Sequence, residues 1–133
     1  MKKSLLFIDD DPVALRLVVD TFRGLLGKEF NFLRASNAEE AEEVLMEELT
    51  QRGSLPTLIV CDWILPGKRG DHFLDEIGEQ YPEIRLVLHS GLADAALEAR
   101  LKSSCNLVCS LQKPWDGQQH RNLILEALSV QVV

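Results

Sequence analysis

The sequence is short of basic residues, short of cysteine and without a long apolar run, and each shortage excludes a class of function. Its 14 lysines and arginines face 21 aspartates and glutamates, for a formal net charge of -7. Direct binding to nucleic acid needs a basic face that neutralises phosphates and releases counterions, which an acid excess does not supply. The three cysteines, Cys61, Cys105 and Cys109, form no CxxC pair and no zinc-like spacing. Such an odd set reads as small apolar side chains kept reduced in the cytosol. No stretch approaches the length of a membrane span. After Met1-Lys2-Lys3 the apolar run extends only from Ser4 to Ile8 before three acids, too short for the core of a signal peptide. The expectation is a cytoplasmic protein with neither nucleic acid nor membrane as a direct partner.

What is present is an ordinary globular composition, 46% hydrophobic and 26% charged over 133 residues. That length fits one domain, here residues 1–133, and buries roughly two-thirds of the unfolded surface without covalent staples. Short apolar runs recur at nearly even intervals: Leu5 to Ile8, Phe30 to Leu33, Leu58 to Cys61, Ile84 to Leu88, and Leu107 to Cys109. Bounded by polar residues and mostly unbroken, they read as strands buried on both faces. The second run alternates and carries Asn31 and Arg34, as an edge strand would.

Helical patterns fill the gaps. Asp11-Pro12 supplies a cap and a proline at the first helical position, with Val13, Leu17 and Leu25 recurring behind it. A second helix from about Asn37 has Ala38, Ala41, Val44, Leu45 and Leu49 on one stripe and its glutamates largely on a solvated face. Asp71 to Gln80, Asp94 to Ser103 and Gln118 to Leu128 make three more. Five strand–helix repeats imply an α/β fold, a parallel sheet covered on both faces by right-handed crossovers.

In such open sheets, ligands bind beyond the carboxyl ends of the strands. The polar residues that end the strand runs are Asp9 and Asp10, Asp62, Ser90 and Lys113. If the first and third strands are neighbours, three carboxylates meet on one rim, which is costly unless a cation neutralises them. An all-carboxylate oxygen set points to Mg²⁺ rather than a transition metal. A hydroxyl at Ser90 and an ammonium at Lys113 complete a site suited to a phosphoryl group, with Asp62 as the nucleophile. Asp11 is better read as a helix cap than as a ligand.

At these residues the chain resembles the receiver domain of two-component response regulators over essentially its whole length. Leu6-Phe7-Ile8-Asp9-Asp10-Asp11-Pro12 is similar to that family's opening strand and acidic pair. Asp62-Trp63-Ile64-Leu65-Pro66-Gly67-Lys68-Arg69-Gly70 resembles its phosphoacceptor loop. Leu88-His89-Ser90-Gly91 and Gln112-Lys113-Pro114-Trp115 resemble its hydroxyl strand and lysine–proline turn. The resemblance implies a flavodoxin-like, doubly wound (βα)5 three-layer sandwich with strand order 2-1-3-4-5. It implies Mg²⁺ held by the side chains of Asp10 and Asp62 and the backbone carbonyl of Ile64, with Asp9 acting through a water. Lys113 would contact a phosphoryl oxygen, and Ser90 would swing toward the phosphate on arrival. The phosphoryl donor would be a sensor histidine kinase or a histidine phosphotransfer protein. The output would be a separate protein or a C-terminal output domain, with a homodimer as a further option. Such a protein is no enzyme beyond its own phosphorylation and dephosphorylation.

Several positions depart from the pattern. Ser110 stands where the family usually has an aromatic ring three residues before the lysine, and Asn106-Leu107 replaces a small pair. Output through the fourth helix, fifth strand and fifth helix is then expected without an aromatic rotamer switch. Ile64 and Leu92, apolar at positions that tend to govern hydrolysis, predict a long-lived acyl phosphate. Trp63 and Trp115 read as packing residues rather than a stacking platform. His72 and His120 read as helix-surface residues, and Lys68 and Arg69 as a solvated loop. Two rivals exist. Asp9-Asp10-Asp11-Pro12-Val13 literally matches the nucleophile motif of haloacid-dehalogenase-type phosphohydrolases, although that reading gives Asp62 no role. The other is an interaction module that works without phosphorylation.

Overall fold

The computed structural model describes residues 3–91, 95–105, 107–113 and 117–129. Five strands alternate with five helices: β1 (Lys3–Ile8), α1 (Pro12–Leu26), β2 (Phe30–Ala35), α2 (Ala38–Arg52), β3 (Leu58–Asp62), α3 (Gly70–Gln80), β4 (Arg85–Ser90), α4 (Ala95–Ser104), β5 (Leu107–Gln112) and α5 (Gly117–Ser129). The strands form one parallel sheet of order β2-β1-β3-β4-β5. This is the doubly wound, flavodoxin-like arrangement that the sequence resemblance implied, with β2 at an edge.

The unbroken apolar runs are explained by two cores, one on each face of the sheet. Leu6, Ile8, Ile59, Cys61, Leu86 and Leu88 point to one face, where Ala41 and Leu45 of α2, Phe73 and Ile77 of α3, and Leu97 and Leu101 of α4 cover them. Leu5, Phe7, Leu58, Val60 and Val87 point to the other, under Val18, Val19 and Phe22 of α1 and Ile124 and Ala127 of α5. Successive strand residues alternate between the layers, so a buried strand needs apolar residues at every position.

Capping sets the helix starts. The Asp11 carboxylate accepts hydrogen bonds from the Val13 and Ala14 amides at 3.0 and 3.4 Å, and Asn37 Oδ1 accepts from the Glu40 amide at 2.7 Å. Each satisfies a backbone donor that the first helical turn leaves open.

The buried face of α1 differs from the expected one. Val13 and Leu17 are 75% and 58% exposed, while Leu15, Val18, Val19 and Phe22 are buried; Leu25's side chain lies outside the described residues. Both sets have helical spacing. The set containing Phe22 wins because its ring stacks on Phe7 of β1, with centroids 5.8 Å apart. On α2, Glu48 is an exception to the solvated glutamates. It is buried, accepts a hydrogen bond from Ser4 Oγ at 3.2 Å and pairs with Arg52 at 3.5 Å. Among the described residues, no helix is long and apolar enough to cross a membrane.

Candidate functional site

A parallel sheet brings every strand's carboxyl end to one edge, and there the polar residues collect. Asp9 follows β1 directly, Asp62 ends β3 and Ser90 ends β4, while Lys113 follows β5. Because β1 and β3 are neighbours with Ile8 opposite Cys61, the next residues, Asp9 and Asp62, emerge side by side. Asp9, Asp10 and Asp62 each offer a carboxylate oxygen, all within 4.8 Å of one another. Asp9 and Asp62 are buried and Asp10 is exposed.

The backbone fixes each member. The Asp9 amide donates to the Ala35 carbonyl at 3.1 Å, and Asp9 Oδ1 accepts from the Asp11 amide at 3.0 Å. Its other oxygen, Oδ2, is buried without a hydrogen bond among the described residues; Lys113 Nζ stands 3.5 Å away as an ion pair. The Lys113 amide donates to the Ser90 carbonyl at 2.9 Å, continuing the β4–β5 ladder one residue past the strand. From there its side chain reaches over β4, and Nζ donates to Asp62 Oδ2 at 3.0 Å.

The loop after Asp62 folds back on itself. The Trp63 amide donates to the His89 carbonyl at 3.2 Å, and the Gly70 amide to the Trp63 carbonyl at 2.9 Å. Gly67 holds a φ of 76°, in the left-handed region that glycine tolerates. At Gly70 a side chain is excluded outright, since a Cβ there would lie 1.9 Å from the Asp62 carbonyl oxygen. The first turn of α3 therefore rests directly on the backbone of Asp62. Ile64, within this loop, projects its side chain outward with 66% exposed.

Burial pushes the Asp62 carboxyl above its usual range; the Lys113 hydrogen bond and charge oppose this, and the Asp9 charge adds to it. Burial works to lower the Lys113 ammonium, but its bond to Asp62 and the charges of Asp62 and Asp9 outweigh that and raise it. The lysine thus remains a cation facing carboxylates that gain from another positive charge.

Several features were not foreseen. His120 is buried rather than on the helix surface, its ring nearly perpendicular to that of buried His89 at 6.1 Å between centroids. The spacing of His120, Ile124 and Ala127 on α5 carried that signal. Burial, followed by the charges of Lys113 and His120, lowers His89 to a pKa of about 3, so its imidazole is neutral. Arg69 is no free loop cation, because it grips buried Asp71 with two hydrogen bonds of 3.0 and 2.7 Å. Arg100 of α4 reaches the same Asp71 carboxylate at 3.2 Å and Asp75 at 2.9 Å. Lys68 is likewise committed, to Glu42 at 3.1 Å and Glu76 at 2.7 Å.

Ser110 Oγ, at the position that departs from the aromatic pattern, donates to Glu98 Oε2 of α4 at 2.9 Å. Trp63 is half-buried against the α2–α3–α4 core, as a packing residue should be. Leu92, Asn106, Pro114 and Trp115 lie outside the described residues.

The profile of the response regulator receiver domain matches residues 5–125. The hydrogenase transcriptional regulatory protein HoxA of Cupriavidus necator is 27% identical over 130 residues, covering 98% of this chain and 25% of the relative. The sensor kinase CckA of Brucella abortus is 29% identical over 127 residues, covering 96% of this chain and 12% of the kinase. The chain thus spans a quarter or less of the length of these curated relatives. Among solved structures, the CheX–CheY–BeF3–Mg²⁺ complex of Borrelia burgdorferi superposes with a TM-score of 0.81 at 18% identity, covering 96% of this chain and 90% of that chain. With a parallel sheet of order 2-1-3-4-5, an acidic cluster at its carboxyl edge and a family profile over nearly all its length, this chain belongs to the response regulator receiver domain family.

Proposed function

We propose that residues 1–133 act as one phosphorelay receiver, in the cytoplasm, that takes a phosphoryl group on Asp62. The donor is the phosphohistidine of a sensor kinase or phosphotransfer protein, and the product switches contacts with an output protein or domain. One observation carries this reading: the Asp62 carboxylate, delivered by β3, meets Asp9 from β1 and Lys113 from β5, with Lys113 Nζ at 3.0 Å from Asp62 Oδ2.

Asp9, Asp10 and Asp62 fit a hard divalent cation. Their oxygens are within 4.8 Å of one another, and buried Asp9 Oδ2 lacks a hydrogen bond among the described residues, as an oxygen reserved for a cation or its water would. Asp10, Asp62 and the Ile64 carbonyl would hold Mg²⁺ directly, with Asp9 acting through water. Bound there, the ion supplies positive charge to the oxygens of the phosphoryl group.

In the transfer, an oxygen of ionised Asp62 forms the new O–P bond as the histidine N–P bond breaks. The electron pair leaves with the imidazole nitrogen, which then takes up a proton. Lys113 would stand beside the oxygens that gain charge, and Ser90 would donate to the product. Exposed Ile64 in the acceptor loop and exposed Val13 in the first turn of α1 offer apolar surface that a donor helix can cover, keeping water from the bond being transferred. Ile64 also supports slow hydrolysis, since its side chain cannot orient a water.

The test is the NMR response to beryllofluoride with Mg²⁺, a phosphoryl mimic. Wild-type protein should show shifts at Asp62, Ser90 and Lys113, and Asp62→Asn should show none. Turnover of phosphate esters that is lost in Asp9→Asn but kept in Asp62→Asn would instead establish a hydrolase.

A further inference from the structure

A second surface lies between α2 and α3, below the acidic rim on the flank of these helices. Here Leu45 and Met46 of α2 face Ile77 and Gln80 of α3 and the following Tyr81 across a cavity of about 220 Å³, with Glu42 at its border. Leu45 and Ile77 form a buried floor, whereas Met46 is 57% exposed and Tyr81 half-buried. An unbranched thioether beside a half-buried ring is an adaptable apolar receptor.

The groove is walled with negative charge. Helical spacing puts Glu39, Glu42 and Glu43 on the side of α2 that carries Met46, and Glu76 occupies the facing side of α3. Lys68 bridges Glu42 and Glu76. Glu39 and Glu43 are exposed and have no ionic or hydrogen-bonded partner among the described residues, with the Glu39 carboxylate at the upper end of the groove beside Gly67.

We infer that the α2–α3 groove is a docking site for a basic amphipathic helix, whose apolar stripe seats on Met46 and Tyr81 while its lysines or arginines meet Glu39 and Glu43. Charge complementarity selects this occupant. An extended acidic segment would be repelled, and a helix without an apolar face would leave the Met46 side uncovered. Helix-in-groove recognition uses both features together.

The test titrates the ¹⁵N-labelled protein with a synthetic peptide that has leucine at helical spacing on one face and lysine on the other. Saturable shifts at Leu45, Met46, Ile77 and Tyr81 are expected. The matching leucine–glutamate peptide should not bind. Met46→Glu, at an exposed position that leaves the core intact, should weaken the lysine peptide by about ten-fold or more. Glu39→Lys with Glu43→Lys should do the same and reduce the salt dependence. Shifts centred on α1, unchanged affinity in Met46→Glu, equal binding of the acidic peptide, or self-association through this groove in sedimentation would each overturn the inference. Binding should not depend on Asp62, so Asp62→Asn is expected to retain it whatever becomes of the phosphoryl reading.

Discussion

Helices α1 and α4 cover opposite faces of the same sheet and are attached to it by opposite means. Over its 15 residues α1 buries Leu15, Val18, Val19 and Phe22, and Phe22 stacks on Phe7. Each such side chain contributes roughly 1.5–3 kcal/mol when fully buried. The shorter α4 buries only Leu97 and Leu101. Most of its other attachments are polar: Glu98 to Ser110, Arg100 to Asp71 and Asp75, and Ser104 to Asp75 at 2.6 Å. Apolar packing is dense and tolerates no displacement, whereas hydrogen bonds and ion pairs can be exchanged one at a time. If Asp62 is phosphorylated as proposed, the α4 side, beyond Ser90-Gly91, is the side expected to respond, and the α1 side is expected to stay fixed.

Phe22→Ala should have the largest effect, costing about 3–5 kcal/mol in a denaturant titration by opening a cavity under α1. Asp71→Asn should follow at roughly 1–3 kcal/mol, since it weakens a buried acceptor shared by two arginines. Its amide shifts should concentrate in α3 and α4 and spare α1.

Acid sharpens the same contrast. Although burial opposes it, the hydrogen bond and charge of Arg69, with His72, hold the Asp71 carboxyl below its ordinary value. A depressed folded pKa stabilises fully above the unfolded value of about 4 and is lost as pH falls through the folded value. Acidification below about pH 4 should therefore loosen α4 before α1, as read by amide exchange. In Asp71→Asn, the part of the acid sensitivity due to Asp71 should disappear. Simultaneous loosening of both helices would show that α4 is held no less firmly than α1.

Ser110→Ala should cost only about 1 kcal/mol. It should also raise the Glu98 carboxyl, which the Ser110 hydrogen bond holds down. If a phosphoryl mimic left the shifts around Ser110 and Glu98 unchanged, the idea of output through this face would fail. Smallest of all, added salt should speed amide exchange in α4 by the equivalent of under about 1 kcal/mol and leave α1 unaffected.

How much was legible in the sequence follows from how local each signal is. The strands could be read because burial on both faces demands unbroken apolar runs, and the helix starts because Asp11 and Asn37 cap their own backbones. The rim could be read because Asp9, Asp62, Ser90 and Lys113 interrupt those runs at the same end of each strand. The buried face of α1 could not, because Val13/Leu17 and Leu15/Val18/Val19/Phe22 share one period and only Phe7 across the layer decides between them. Nor could the Asp71–Arg100 pair, which depends on how α3 and α4 approach. His120 was within reach of the spacing on α5, but its partner His89 comes from a distant strand.

Whether Asp62 takes a phosphoryl group at a site completed by Mg²⁺ is decided by intact-protein mass measurement with a small-molecule phosphoryl donor. One added phosphoryl group is expected in wild-type protein with Mg²⁺, and none with chelator or in Asp62→Asn. An unchanged mass in wild type, or the same gain in Asp62→Asn, would rule out Asp62 as the acceptor.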